Sequence, residues 1–395
     1  MIMTITKVKA KNPYVVDCSK KPTAVKTPAC REEETKGAAG DDSKIPSDFG
    51  QGKGKQTGRQ EELDEGSYDS EADEGYDDSE AVEEVKLSAK RDWKESYVQQ
   101  LPKWVKKLMG HIVLDINEEW SVQILGLQKP GTKQGLFNNP NGLRWHHGQL
   151  LVCDTNNNRI QILAKHYSYR SVDEIRFDSM TNAFQPWAVT VYRKEYYISD
   201  IGNNQIIICD KCHEILQTIA VTPDISVHSI TVIAGFAVVT DHKGNKVLKY
   251  NKKGNLVAKY QGQGSENTPI KYPHSVAPAS NGSILVSDAN NHNIKVLDSD
   301  LNYVESFCAE GTGKGQVRYP QGIDVDARGN IYICDKLNNR IVKLGSNGNF
   351  LRNLFEGDLE YPTNIAVNPA GDEIAVSVFG NIARPVNQIW VFFKK

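Results

Sequence analysis

Residues 150–163 read Leu-Leu-Val-Cys-Asp-Thr-Asn-Asn-Asn-Arg-Ile-Gln-Ile-Leu: an apolar run, an acid, a cluster of turn formers and a second apolar run. Asp and Asn side chains satisfy nearby backbone groups and tolerate left-handed conformations, so the stretch reads as two strands joined by a tight turn. One hairpin is marginal in water. The phrase returns as Tyr-Ile-Ser-Asp at 197–200, Val-Val-Thr-Asp at 238–241, Leu-Val-Ser-Asp at 285–288 and Tyr-Ile-Cys-Asp at 332–335. The acids Asp154, Asp200, Asp241, Asp288 and Asp335 stand 46, 41, 47 and 47 residues apart, and a sixth, degenerate copy puts Ser377 where the acid is expected.

Each acid follows, by 14 or 15 residues, the start of another short apolar strand, at Pro140, Pro186, Val227, Pro273 and Pro320, with Pro362 in the sixth copy. A period of 40 to 50 residues carrying several strands and no clear helix marks a β-propeller, one four-stranded blade per unit. The expected fold is all-β with six blades. The ends indicate how the ring closes. Gly131 to Phe137 precedes Pro140 as Gly311 to Val317 precedes Pro320, so the chain meets the tail of a repeat before its head. Asn387 to Phe393 supplies a third strand and the sequence stops, so Trp120 to Leu125 is expected to add the fourth and leave no open edge.

Tyr-Pro-x-Gly-Ile, an apolar strand ending in Asp, then Asn-Asn-Arg-Ile, complete at Tyr319 to Ile341, resembles the NHL repeat. Across residues 112–395 the array resembles the C-terminal propellers of the tripartite-motif NHL and Brain tumor proteins. Tripartite-motif proteins also carry a RING and B-boxes, which need several Cys and His at zinc-ligand spacing. Residues 1–111 offer only Cys18, Cys30 and His111, too few for a RING.

Those first 111 residues are rich in Lys, Glu, Asp, Ser and Gly and poor in aliphatics, a composition expected to stay disordered. Residues 60–85 hold 13 acids and no base, whereas 86–111 hold 7 bases against 2 acids. Within the acidic block Ser70 has acids at its flank and three residues on, a pattern suited to an acid-directed kinase; a solubilising spacer is the plainer reading. Seven cysteines, an odd number mostly on expected strands, suit reduced core residues and a cytoplasmic protein. No apolar run approaches the roughly 18 residues of a membrane span. Cys209-Asp-Lys-Cys212-His213 fits a haem-attachment pattern but falls at a strand end and turn, so it reads as structural.

Catalysis is not expected. His228 and His274 follow the proline position in adjacent repeats, but two histidines make a weak metal site, and no nucleophile is paired with a base. The repeated acids read as turn residues whose carboxylates accept turn amides, with Asp154 facing Arg159 and Asp335 facing Arg340. No cofactor or metal is expected.

A binding role is the better expectation. The residue after each proline position should crown one face of the ring, and it reads Asn141, Trp187, His228, His274, Gln321 and Thr363. Flat rings and amides suit unpaired nucleotides. In the NHL relatives this face and position contact single-stranded or stem-loop RNA, so the resemblance implies RNA binding and post-transcriptional regulation. Residues 112–395 carry 28 Lys plus Arg against 27 Asp plus Glu, a balance that places any cationic patch locally. Lys129, Lys133, Lys314, Arg318 and Arg384, the last in a long final loop, lie on the expected face. The alternative is a protein-interaction propeller, such as a partner adaptor of a tripartite-motif ubiquitin-ligase system. Neither DNA nor membrane is an expected partner, and oligomeric state is open.

Overall fold

The computed structural model describes residues 119–395, except 128, 166–168, 179, 181, 262–268 and 382–383, and the backbone of the short strands Thr6–Lys7, Val85–Ser88 and Val113–Asp115. The chain divides into two units, one of residues 1–8 and 84–395 and one of 9–83, and the second lies outside the described residues. So do Ser70 and nearly all of the segment expected to be disordered.

The described structure is all-β, with only single-turn 3₁₀ segments between strands. Blade 1 comprises Pro140–His146, Gln149–Asp154, Arg159–Ala164 and Arg170–Ile175, and blade 2 Pro186–Tyr192, Glu195–Asp200, Gln205–Cys209 and Ile215–Ala220. Blade 3 holds Val227–Ile233, Phe236–Asp241, Lys246–Tyr250 and Leu256–Tyr260; blade 4 holds Pro273–Pro278, Ile284–Asp288, Asn293–Leu297 and Tyr303–Phe307. Blade 5 is Pro320–Val325, Ile331–Asp335, Arg340–Leu344 and Phe350–Leu354. All are antiparallel and paired in sequence order. In blades 1 to 3 two-residue turns such as His147–Gly148, at φ 47° and 75°, join the first strand to the second, because consecutive left-handed residues match the strand twist; blades 4 to 6 use five-residue loops there.

Blade 6 combines Pro362–Val367, Glu373–Asn381 and Arg384–Lys394 with Trp120–Leu127, which pairs antiparallel along its whole length from Asn387 opposite Leu127 to Lys394 opposite Trp120. The ring is therefore closed by an N-terminal strand. Its inward side chains bind both neighbours: Trp120 and Val122 join a cluster with Tyr332, Ile341 and Leu354 of blade 5, while Leu125 joins Leu143, Trp145 and Leu150 of blade 1. Beyond it Val113–Asp115 adds a further strand, followed by Val85–Ser88 and Thr6–Lys7. The last two are short backbone ladders, of two and three residue pairs, within a segment that otherwise lies outside the described residues.

The first strands of all six blades meet around the axis. Each junction carries a hydrogen bond of its own. Thr155 Oγ1 donates to the Pro186 carbonyl at 2.7 Å, Ser199 Oγ to the His228 carbonyl, and the Val276 amide to Ser229 Oγ at 3.2 Å. The Ile323 amide reaches Ser275 Oγ at 3.4 Å, the Val367 amide reaches Asp324 Oδ2 at 2.8 Å, and Trp145 Nε1 reaches the Ala366 carbonyl at 3.2 Å. At Gly142 an added Cβ would lie 2.5 Å from the Trp187 carbonyl, so the Pro-x-Gly signature reflects this close approach of inner strands.

Register corrects one expectation. Pro362 pairs with Val378, as Pro320 pairs with Asp335 and Pro186 with Asp200, so Val378, not Ser377, occupies the acid's position. Ser377 instead matches Ser199: its hydroxyl accepts the Asn364 amide at 3.1 Å, as Ser199 Oγ accepts that of Ala188 at 3.0 Å. An extra residue in the sixth copy moves the spacing from the acid to its neighbour.

Candidate binding face

Each repeated acid ties the turn after the second strand to the loop leading into the first. Asp154 Oδ1 accepts the Asn138 amide at 2.7 Å, Asp200 that of Gln185 at 2.9 Å and Asp241 that of Ser226 at 3.0 Å; Asp288 and Asp335 accept those of Lys271 and Arg318, both at 2.7 Å. In four of the five the second oxygen takes the carboxamide three residues on, from Asn157, Asn203, Asn291 or Asn338; in blade 3 that residue is Gly244, whose amide joins Oδ1 of Asp241 at 2.8 Å. In blades 1 and 5 Arg159 Nε and Arg340 Nε add a bond at 2.8 Å to Asp154 and Asp335. All five carboxylates are fully buried. Burial outweighs these bonds at Asp288 and Asp335, whose carboxyls sit above the usual range. Turn and leading loop thus form one face.

The same guanidinium groups shape two cationic loops. Arg159 Nη2 donates to the carbonyls of Lys133 and Leu136, and Arg340 Nη2 to those of Gly313 and Gln316, so each loop is held from within. Lys129 and Lys133 are left exposed on the blade 1 loop and Lys314 and Arg318 on the blade 5 loop, flanking blade 6. Arg384 begins a strand instead of lying in a long loop. Glu373–Asn381 and Arg384–Lys394 continue as a hairpin, with Asn381 paired to Arg384. Without an acid at 378 no Asx turn ends the second strand, and the ladder runs on.

The ring expected to crown the face lies at its neck. Asn141, His228, His274, Gln321 and Thr363 are buried, and only Trp187 is partly open. Inner strands converge on the axis, so equivalent side chains crowd one another: the ring centroids of Trp187 and His228 are 4.0 Å apart, and those of His228 and His274 4.8 Å. Asn141 Nδ2 donates to Thr155 Oγ1 and Thr363 Oγ1 to the Ser377 carbonyl. His228 Nδ1 lies 3.1 Å from the His274 carbonyl. Burial depresses His228 to about 3, and burial followed by His228, Lys336 and His242 holds His274 well below its usual range. Both imidazoles are neutral near pH 7, so the neck is an uncharged hydrogen-bonding surface. Two of its atoms have no partner, Nδ1 of His274 and Oε1 of Gln321, on side chains 6% and 5% exposed.

Outside this neck runs an aromatic arc that the ring position alone does not reveal. From Trp187 and His228 it passes to His242, 4.3 Å from His228, to Tyr272 at 5.0 Å, and to Tyr319 at a further 6.0 Å. Lys336 Nζ then lies 5.6 Å from the Tyr319 ring and 5.5 Å from that of Phe379. The arc crosses blades 2 to 6. Its members come from two further repeat columns: the residue before the proline position, which gives Tyr272 and Tyr319, and the residue after the acid's position, which gives His242, Lys336 and Phe379. Aligning the copies on those columns would have exposed it. Among the described residues no three His, Cys, Asp or Glu side chains come together as a metal site.

This face sits on a β-propeller that carries NHL repeats. Three segments, residues 137–163, 271–297 and 317–344, match the NHL repeat. Comparison with curated proteins finds no match. Solved structures with the same fold include virginiamycin B lyase from Staphylococcus aureus, at 15% identity and TM-score 0.50, covering 70% of this chain and 99% of that one. A Bacteroides thetaiotaomicron protein of unknown function aligns at 14% identity and TM-score 0.53, over 70% of this chain and 77% of its own. At such identity the likeness defines the architecture alone.

Proposed function

We propose that this NHL propeller is a non-catalytic binding module that receives unpaired RNA, in a single strand or stem-loop, on the face described above and acts as a post-transcriptional regulator of the tripartite-motif NHL and Brain tumor type. The observation that carries this reading is the arc from Trp187 through Tyr272 and Tyr319 to Phe379, with four exposed cations on its flanking loops. Stacking of one base on an aromatic ring is worth about 1–3 kcal/mol, and phosphate contacts add a salt-dependent share. Neutral histidines and amides at the neck favour base edges over a purely ionic ligand.

A second reading, a protein-interaction propeller serving as adaptor in a tripartite-motif ubiquitin-ligase system, draws support from Phe379 and Leu337, each 43% exposed near Lys336. Such apolar anchors suit a protein hot spot. Binding of the full chain to a randomised single-stranded RNA pool separates the two. Enrichment that weakens as salt rises, and is lost when Trp187, Tyr272 and Tyr319 are all changed to Ala, supports the RNA reading. Absence of enrichment at physiological salt rejects it.

A further inference from the structure

We propose that Lys336 is the anion-binding residue of this face, receiving a phosphate group of the ligand on its ammonium between the rings of Tyr319 and Phe379. The inference rests on the reading that the face takes nucleotides, and it specifies the group recognised.

Lysine and arginine heads withdrawn from water are normally paired, because an isolated buried charge is costly. The buried cations of this propeller follow that rule. Arg159 and Arg340 each meet an aspartate at 2.8 Å, Lys295 lies 3.4 Å from Asp288, and Lys249 lies 3.5 Å from Asp300. Lys336 does not. It is partly buried and, among the described residues, has neither a carboxylate nor a hydrogen-bond partner; only the rings of Tyr319 and Phe379 flank it. The adjacent Asp335 is already engaged by Arg340, Asn338 and the Arg318 amide. Cation–π contacts at partly exposed sites are too weak to replace the hydration an ammonium loses, and burial lowers the lysine's pKa accordingly.

The position is also singular within the repeat. Blades 1 to 4 place Thr155, Ile201, His242 and Ala289 after the acid, none with the permanent charge of a lysine. His274, whose own depression includes the field of Lys336, offers an unpartnered Nδ1 on a side chain more than nine-tenths buried. Gln321 on the next blade leaves its Oε1 equally unpartnered. A phosphate would give the ammonium the charged partner it lacks, while Tyr319 and Tyr272 offer rings on which the attached base can stack.

The test is lysine footprinting of the full chain with a limiting amine-acetylating reagent, read residue by residue by mass spectrometry. The probes are uridine, uridine monophosphate and single-stranded oligouridylate. Uridine monophosphate and the oligonucleotide should slow labelling of Lys336 at least five-fold while Lys343, which packs on Tyr332 in the same blade, is unaffected; uridine should not protect. Lys336→Met, which keeps the aliphatic stem between the rings, should melt within a few degrees of the parent and lose at least ten-fold in affinity for the monophosphate but not for uridine. Protection by the oligonucleotide alone identifies a chain phosphodiester as the source, and equal protection by the monophosphate a terminal phosphate; either supports the assignment. Equal protection by uridine, or oligonucleotide binding that leaves Lys336 fully labelled, overturns the assignment while leaving the RNA reading standing. Protection by the monophosphate without any oligonucleotide binding does the reverse.

Discussion

Val378 pairs with Pro362 at the register where Asp335 pairs with Pro320, so blade 6 closes its turn without the acid that the other five blades use. A carboxylate there would be buried beside an extended hairpin rather than an Asn-bearing turn. Val378→Asp should therefore destabilise the propeller by about 3 kcal/mol, the scale for burying an unpaired charge that is partly relieved by protonation. A urea midpoint that falls with the slope unchanged is the expected reading; an unchanged midpoint would show that the blade 6 hairpin can rebuild the turn.

The Asp335–Arg340 pair differs in kind, because it is buried and shares partners with a loop. Changing Arg340 to Met removes the 2.8 Å bond to the carboxylate and the two bonds to the Gly313 and Gln316 carbonyls. A loss of about 3–5 kcal/mol is expected, as for other broken buried pairs. The double variant with Asp335→Asn should cost less than the sum of the two single changes, and a thermodynamic cycle in urea measures the difference.

Ring closure makes a separate claim. Trp120 packs edge-on against Phe355 at 5.3 Å, and Phe355 stacks on Phe392 at 3.6 Å, so the closing strand, blade 5 and blade 6 share one aromatic stack. Trp120→Ala should cost about 3–5 kcal/mol. Removing residues 112–127 altogether should abolish the single cooperative melt and expose the ladder of Arg384–Lys394, giving concentration-dependent association on size-exclusion chromatography. A truncated chain that melts like the full one would show that the ring does not depend on this strand.

Acid should unfold the domain through its neck. His228 is held neutral, with its pKa depressed to about 3 from 6.5, so below pH 6.5 the unfolded chain binds a proton that the folded chain refuses. Stability is therefore lost as pH falls, by about 2 kcal/mol at pH 5 for this histidine. Asp335 acts in the opposite sense, because burial raises its carboxyl and the folded state accepts the proton more readily. Urea unfolding at pH 7 and pH 5 should show the loss, and His228→Asn should reduce it.

The architecture was legible because it is written in local chemistry repeated at a fixed interval. Asp-Asn turns, apolar runs and the split repeat at the two ends are short-range features, and the closing strand from Trp120 followed from the requirement that no edge remain open. The candidate face was less legible. The column after the proline was identified by its spacing, but its burial was not, because side chains from six converging strands are neighbours only once the ring has closed. Ser377 was misassigned for a related reason: one inserted residue is invisible to spacing, and only pairing with Pro362 shows that Val378 occupies the position.

By itself, then, the sequence determined the blade, the number of blades and the means of closure, since each depends on contacts within about 50 residues or on the absence of a free edge. Tertiary structure alone decided which side chains share a surface. Trp187 and Phe379 stand 192 residues apart, yet they end one continuous arc because closing the ring sets equivalent positions of successive blades side by side. The same closure left Lys336 without an acid, since the carboxylate beside it in sequence points into the turn and is already taken by Arg340.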